Sequence, residues 1–198
     1  MGKQSCRSKS STMECIELFF VGRTNAGKST VIKELFGLKT RRGKNPGVTK
    51  VPVRYELGDL IVTDLPGIGF RRGLISFQSI LREITENTRD KRQQHPLAVQ
   101  IIDAKSFLKI IGRHSRPLDV DLFEYLLNLE IDPIVAINKM DKIDAHEANL
   151  NKIVSQLGML PPYRQWIDRV VPISAKNHDV SELRWLIKYR IQQMREID

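Results

Sequence analysis

The chain has 198 residues, 41% of them apolar, and a net charge of +9, a length that supports one domain with its own core and leaves no room for a second. No stretch approaches 18 consecutive apolar residues and residues 1–13 lack the apolar run of a secretion signal, which argues against stable membrane insertion, so a cytoplasmic protein, monomeric in solution, is expected. Two cysteines and four scattered histidines form neither a disulfide framework nor a zinc spacing, which removes the secreted disulfide scaffolds and the structural-zinc modules.

Residues 1–13 read as a flexible basic tail carrying Lys3, Arg7 and Lys9, and residues 14–198 as a single domain. Met1-Gly2 opens a myristoylation pattern that fails at its sixth position, where Cys6 replaces Ser or Thr. A strand is predicted over 15–21. It runs into Gly22-Arg23-Thr24-Asn25-Ala26-Gly27-Lys28-Ser29, after which a helix is predicted over 28–37. Strand, glycine-rich turn and helix in this order are the context that gives a phosphate-binding loop its meaning. Gly22 and Gly27 let backbone N–H groups approach phosphate oxygens, and the helix adds its positive N-terminal end. Lys28 supplies a point charge for the outer phosphates, and the Ser29 hydroxyl is short enough to ligate a bridging Mg²⁺. Residues 22–29, with Thr30, are therefore the candidate phosphate contacts. A solvated turn before a helix is the competing reading.

Next in the chain, Lys39, Arg41, Arg42, Lys44, Lys50 and Arg54 surround Asn45-Pro46-Gly47-Val48-Thr49, where Thr49 is assigned to the Mg²⁺. Residues 1–54 carry 12 Lys and Arg against 3 Asp and Glu, whereas residues 55–198 carry 20 of each. A basic surface here suits RNA phosphates, with plain solvated charge as the alternative. Strands are predicted over 51–57 and 60–64, joined by Gly58-Asp59 as a hairpin, so the second strand runs antiparallel at an edge. The third ends in Asp64-Leu65-Pro66-Gly67. Asp64, at the C-terminal end of its strand where ligands collect in an open α/β sheet, is the third candidate Mg²⁺ ligand, acting through a water. Gly67 offers its N–H to a γ-phosphate, a contact made with a nucleoside triphosphate and lost on hydrolysis.

A helix over 76–92, a strand over 97–103, a basic run from Lys105 to Arg116 and a helix over 119–130 follow. A strand over 133–138 then delivers Asn138-Lys139-Met140-Asp141. An ionised carboxylate only accepts, so Asp141 matches the N1–H and N2–H₂ donors of guanine and rejects adenine. Asn138 bonds either the imidazole edge of the base or the phosphate loop, and Lys139 lays its aliphatic stem along the base. After a helix over 144–157, a strand over 169–174 ends in Ser174-Ala175-Lys176, where a backbone N–H near Ala175 faces guanine O6 and Lys176 covers the other ring face. A last helix spans 179–195. Trp166 and Trp185 are read as packing residues. Alternating strands and helices indicate a largely parallel sheet covered on both faces.

Taken together, these segments resemble the translation-factor-related class of P-loop GTPases, among the Era/EngA/EngB-like proteins. Gly-Arg-Thr-Asn-Ala-Gly-Lys-Ser-Thr, Asn-Pro-Gly-Val-Thr, Asp-Leu-Pro-Gly-Ile-Gly-Phe and Asn-Lys-Met-Asp-Lys are similar to the EngB family on its archaeal branch, over residues 15 to 196. The resemblance implies a three-layer Ras-like G domain with six mostly parallel strands, one antiparallel edge strand and about five helices. It also implies GTP hydrolysis with Mg²⁺ and a role in ribosome assembly, through contact with a ribosomal subunit or rRNA. Bacterial members carry Arg-Thr-Gln in the second motif and Thr-Lys-x-Asp in the fourth, where this chain has Val48-Thr49-Lys50 and Asn138-Lys139-Met140-Asp141.

Ile68 stands where many switch GTPases place a water-orienting glutamine, so a slow intrinsic rate is expected. In related GTPases an asparagine at the Asn25 position helps bind K⁺ beside the phosphates; a loop-shaping hydrogen bond is the alternative. With Asn25, the catalytic candidates are Lys28, Thr49 and Gly67. A rival function is a nucleotide-sensing module with negligible hydrolysis that acts on a protein partner. A kinase sharing the loop is disfavoured because residues 138–141 read a base and no acceptor lid is evident.

Overall fold

β1 (Ile16–Gly22) is buried along its whole length, as a central strand covered on both faces must be. The computed structural model describes residues 16–38, 51–69, 79, 82 and 96–197. After β1 come α1 (Lys28–Phe36), β2 (Val53–Leu57), β3 (Leu60–Asp64), β4 (Leu97–Asp103), α2 (Ala104–Ile111), α3 (Leu118–Asn128), β5 (Ile134–Asn138), α4 (His146–Gln156), β6 (Val170–Pro172) and α5 (Ser181–Ile197). The sheet order is β2-β3-β1-β4-β5-β6, with only the β2–β3 pair antiparallel. The turn at Gly58-Asp59 sets that register, Leu57 opposite Leu60, as its residues predict. Five α-helices have both ends among the described residues, and no described helix is long and apolar enough to cross a membrane.

Three apolar clusters account for the layers. Leu18, Phe20, Val99 and Ile134 meet Val31 and Ile32 of α1 and Leu183 and Ile187 of α5 on one face. On the other, Ile102, Val135 and Ile137 meet α2, α3 and α4, while Phe19, Val21 and Ala98 meet Leu122 and Leu126 of α3. Phe20 and Phe36 pack edge to face with ring centroids 6.1 Å apart, an arrangement worth about 1 kcal/mol beyond burial. That contact joins β1 to the end of α1 and braces the turn between them. Glu17, the polar exception in β1, accepts from Thr63 Oγ1 at 2.9 Å and pairs with Arg54 at 3.3 Å.

Two expectations change. The run from Lys105 holds α2, which starts without a loop from β4: Asp103 caps it by accepting from Ser106 N at 3.0 Å. Its buried residues are Ala104 and Phe107, too few to stand out among Lys105, Lys109 and Arg113. Trp185 is not a packing residue. It is 62% exposed and stacks on Tyr189, four residues along α5, with centroids 5.2 Å apart. Trp166, by contrast, packs against the α4 side of the core and donates its Nε1–H to Leu160 O at 2.8 Å. The predicted helix over 76–92 lies outside the described residues except for Ser79 and Arg82, both helical.

Candidate nucleotide and metal site

Strand order reverses at β1, with β3 on one side and β4 on the other, so the turn leaving β1 opens into the crevice where open α/β sheets bind ligands. Gly22 to Gly27 form that turn. Gly27 has φ 103°, and a Cβ there would lie 2.4 Å from the Asn138 amide, so only glycine fits both the backbone and the neighbour. Lys28 turns back over the loop and donates to Gly22 O at 3.1 Å and Arg23 O at 3.2 Å. Burial pulls its ammonium down to about 8, against the pull of the Asp64 and Asp119 carboxylates.

Ser29 and Asp64 meet as their spacing requires: Ser29 Oγ donates to Asp64 Oδ2 at 2.8 Å. Asp64 is buried, and among the described residues its Oδ1 has no hydrogen-bond donor. Burial pushes its carboxyl above the usual range, and the Ser29 hydroxyl and Lys28 ammonium pull it only part of the way back. A partly buried hydroxyl beside a buried carboxylate with an unpartnered oxygen is a hard-oxygen donor set, which fits Mg²⁺. Thr49, the third candidate ligand, and the basic positions between Lys39 and Lys50 lie outside the described residues.

Beyond Asp64 the backbone runs beside the loop. Ile68 N donates to Gly22 O at 3.2 Å, and Thr24 N donates to Ile68 O at 2.8 Å. This lays Gly67 against Thr24, where a Cβ would come within 2.7 Å of the Thr24 Cα. The Ile68 side chain is 1% exposed and packs with Phe19, Val21 and Leu122. It points into the core, so the side chain contributes no polar group to the site.

The base-side segments are tied to the loop by one amide. Asn138 Nδ2 donates to Ala26 O at 2.9 Å, and its Oδ1 accepts from Lys139 N at 2.8 Å and Ala175 N at 3.2 Å. Of the two roles open to Asn138, the structure places it in the tie to the loop. It also alters the expectation for Ala175, whose N–H is engaged by Asn138. Ser174 Oγ donates to Asp141 Oδ1 at 2.6 Å and orients that exposed carboxylate; Lys176 is exposed nearby. Lys139, at φ 66°, reaches across the loop and donates to Asn25 O at 2.7 Å and to Asp103 Oδ2 at 2.5 Å. Asn25 is exposed at φ 67°, a left-handed position that asparagine tolerates better than most residues.

Sequence reasoning missed Asp103. Burial raises its carboxyl, but the hydrogen bonds from Lys139 and Ser106 outweigh burial and hold it below the usual carboxylate range. It fixes Lys139 on one side and starts α2 on the other. The only signal was an aspartate closing an apolar strand, as Asp64 does.

Comparison with known proteins agrees with this geometry. The family described as 50S ribosome-binding GTPase matches residues 17–139. "Probable GTP-binding protein EngB" of Methanosarcina mazei is 41% identical, with 92% of this chain and 91% of that protein aligned. Among solved structures, "a probable GTP-binding protein engB" superposes with a TM-score of 0.69 at 34% identity, covering 91% of this chain and 99% of that one. Era in complex with MgGDPNP and 16S ribosomal RNA nucleotides shares the fold, at 22% identity and a TM-score of 0.58, over 91% of this chain and 57% of that one. With the loop, the paired Ser29 and Asp64 and the Asn138 tie all in place along a nearly full-length match, this chain belongs to the 50S ribosome-binding GTPase family as an EngB-type GTP-binding GTPase.

Proposed function

We propose that the chain is a GTP-hydrolysing switch in ribosome assembly, engaging RNA or ribosomal protein with GTP bound and releasing it with GDP. The observation that carries the nucleotide part is the Asn138 amide, which joins the loop, the Asn138–Asp141 segment and Ser174–Lys176 into one unit. Asp141 reads the guanine N1–H and N2–H₂, while Lys139 and Lys176 flank the ring. For Ala175 N–H to reach guanine O6, it exchanges its bond to Asn138 Oδ1. Lys28 leaves its two carbonyls for phosphate oxygens, and Gly67 N–H meets the γ-phosphate. Ser29, Asp64 and Thr49 would hold Mg²⁺, which when bound supplies charge neutralisation across the outer phosphates.

The ribosomal part is supported by the family description, by the RNA bound to Era in its structure, and by the excess of basic residues in 1–54. Co-sedimentation with ribosomal subunits from the same organism tests it, comparing a non-hydrolysable GTP analogue, GDP and no nucleotide at two salt concentrations. The expected result is analogue-dependent, salt-sensitive binding to one subunit. Indifference to nucleotide with both mature and immature subunits would refute the assembly role.

One observation favours a second reading. Ile68, at the sequence position of a water-orienting glutamine, is turned into the core, as suits a regulatory module that senses nucleotide without appreciable hydrolysis. Multiple-turnover phosphate release separates the two. For the hydrolytic reading we assign the activating charge to K⁺ held beside Asn25. Exchange of K⁺ for Na⁺ is then expected to lower turnover by about tenfold or more, and Asn25→Ala to remove the difference. Equal turnover in both salts would eliminate K⁺, and release at background would favour the sensing module.

A further inference from the structure

β4 carries one polar residue on the side it turns to α3. Gln100 lies between Ala98 and Ile102, at the seam of two apolar clusters, and is wholly buried. Its Nε2 donates to the backbone oxygen of Asp119 at 2.7 Å, which sets the first turn of α3 against the sheet. Asp119 is itself 2% exposed, and its carboxylate pairs at 3.6 Å with the guanidinium of Arg23, the second residue of the phosphate-binding loop. Among the described residues, neither Asp119 Oδ1 nor Gln100 Oε1 has a hydrogen-bond donor.

A carboxylate in the first turn of a helix ordinarily sits in water, where the helix end favours it without desolvation. This one is buried, half-satisfied and paired with another element. Burial pushes it up to about 6 against the pull of Arg23, and the Asp103 carboxylate pushes the same way. Lys28, on α1, is the other charge that faces it. Such a group costs stability at neutral pH, and an unrelieved cost beside a ligand loop marks a functional constraint.

We propose that Asp119 is a positioning residue for the nucleotide: its carboxylate holds Arg23, and through Arg23 the first turn of the phosphate-binding loop, in the shape that retains guanine nucleotide. The inference rests on the reading of that loop as the GTP and GDP site. Arg23 lies between two backbone anchors of the site. Gly22 O accepts from Lys28 Nζ and Ile68 N, and Thr24 N donates to Ile68 O. A guanidinium fixed on α3 therefore fixes the backbone around which Lys28 and Gly67 are placed. Neutralising Asp119 frees Arg23 and loosens that turn, without removing any group that touches phosphate.

The test is the release rate of fluorescently labelled GDP from wild type, Asp119→Asn, Arg23→Ala and the double variant, with melting temperatures measured in parallel. The range is about pH 5 to 7, below that in which Lys28 loses its proton. Each single change is expected to speed release about tenfold, and the double variant no further, because both remove one contact. Wild-type release accelerates as pH falls through about 6, and Asp119→Asn abolishes this acceleration while its melting temperature does not fall. Lys28 and Asp64 are present in both proteins, so their titration cancels in the comparison. Additive effects would overturn the proposal, as would a pH profile that persists in Asp119→Asn or release that only tracks lost melting temperature. Failure of the wild type to bind labelled GDP would overturn the nucleotide-site reading, and this inference with it.

Discussion

Replacing Lys28 with methionine is expected to lower GDP and GTP affinity by about 100-fold or more, close to 3 kcal/mol, while leaving the nucleotide-free protein at least as heat-stable as before. The affinity loss follows from removing the cation set over the loop. Stability is retained for the opposite reason. Lys28 is buried, and its ammonium is pulled down from 10.5 to about 8 by that burial. Below about pH 8 the charged side chain therefore costs the fold about 3 kcal/mol. Its hydrogen bonds to Gly22 O and Arg23 O offset about 1–3 kcal/mol of this. Methionine keeps the aliphatic stem and removes the charge. The sign of the pH dependence follows: between about pH 8 and 10.5 the unfolded chain binds more protons than the folded one, so wild-type stability rises with pH across that window. Lys28→Met should flatten the rise. Titration calorimetry for affinity, with thermal melts near neutral pH and near pH 9.5, checks both halves. Unchanged GDP affinity would remove Lys28 from the site, and an unchanged pH slope would remove burial as the cause.

A second large effect is expected at Asp141. The Ser174 hydroxyl, 2.6 Å from Oδ1, holds the carboxylate in a set orientation within the turn Met140–Lys142. Asp141→Asn replaces one acceptor with an N–H₂ that faces the guanine donors. A site left with opposed donors rejects its ligand by about 100-fold or more. Xanthine presents a carbonyl at C2, which the new amide satisfies, so the variant should prefer XDP to GDP by a comparable factor. Competition of both nucleotides against one labelled probe measures the ratio. If the variant keeps the wild-type preference for GDP, Asp141 does not read the base. Because Ser174 Oγ is a donor, it also sets which carboxamide atom turns outward: it favours the amide oxygen at the Oδ1 position and the nitrogen towards the base. A Ser174→Ala, Asp141→Asn double variant should therefore discriminate less sharply than Asp141→Asn alone.

The six strands, the antiparallel edge and the glycine-rich turn were legible because each is coded locally. Ile16–Val21 is apolar at every position but Glu17, Gly58-Asp59 is a two-residue hairpin turn, and Gly22 to Ser29 sits between a strand and a helix. α2 was not legible. It is eight residues long, its cap is the last residue of a strand, and its buried face reduces to Ala104 and Phe107. Trp185 was misread for a related reason, since hydrophobicity registers that a side chain is apolar but not which way its helix turns it. Ile68 was noticed as a missing glutamine, yet only packing against Phe19, Val21 and Leu122 showed it facing the core.

What the amino-acid order determined by itself was the identity and sequence of the nucleotide-contacting segments, because a phosphate loop, an Asp-x-x-Gly turn and an Asn-Lys-x-Asp turn each need particular residues at short spacing. What only the tertiary structure decided was how those segments are joined. Asn138 meets Ala26 across 112 positions and Lys139 meets Asn25 across 114. Lys139 also finds Asp103, and Asp119 finds Arg23, through the parallel crossovers that bring the ends of β1, β4 and β5 together with the start of α3. Residues so far apart along the chain carry no periodic or spacing signal of their contact, because the distance between them is set by the register and stacking of whole elements, which no single segment encodes.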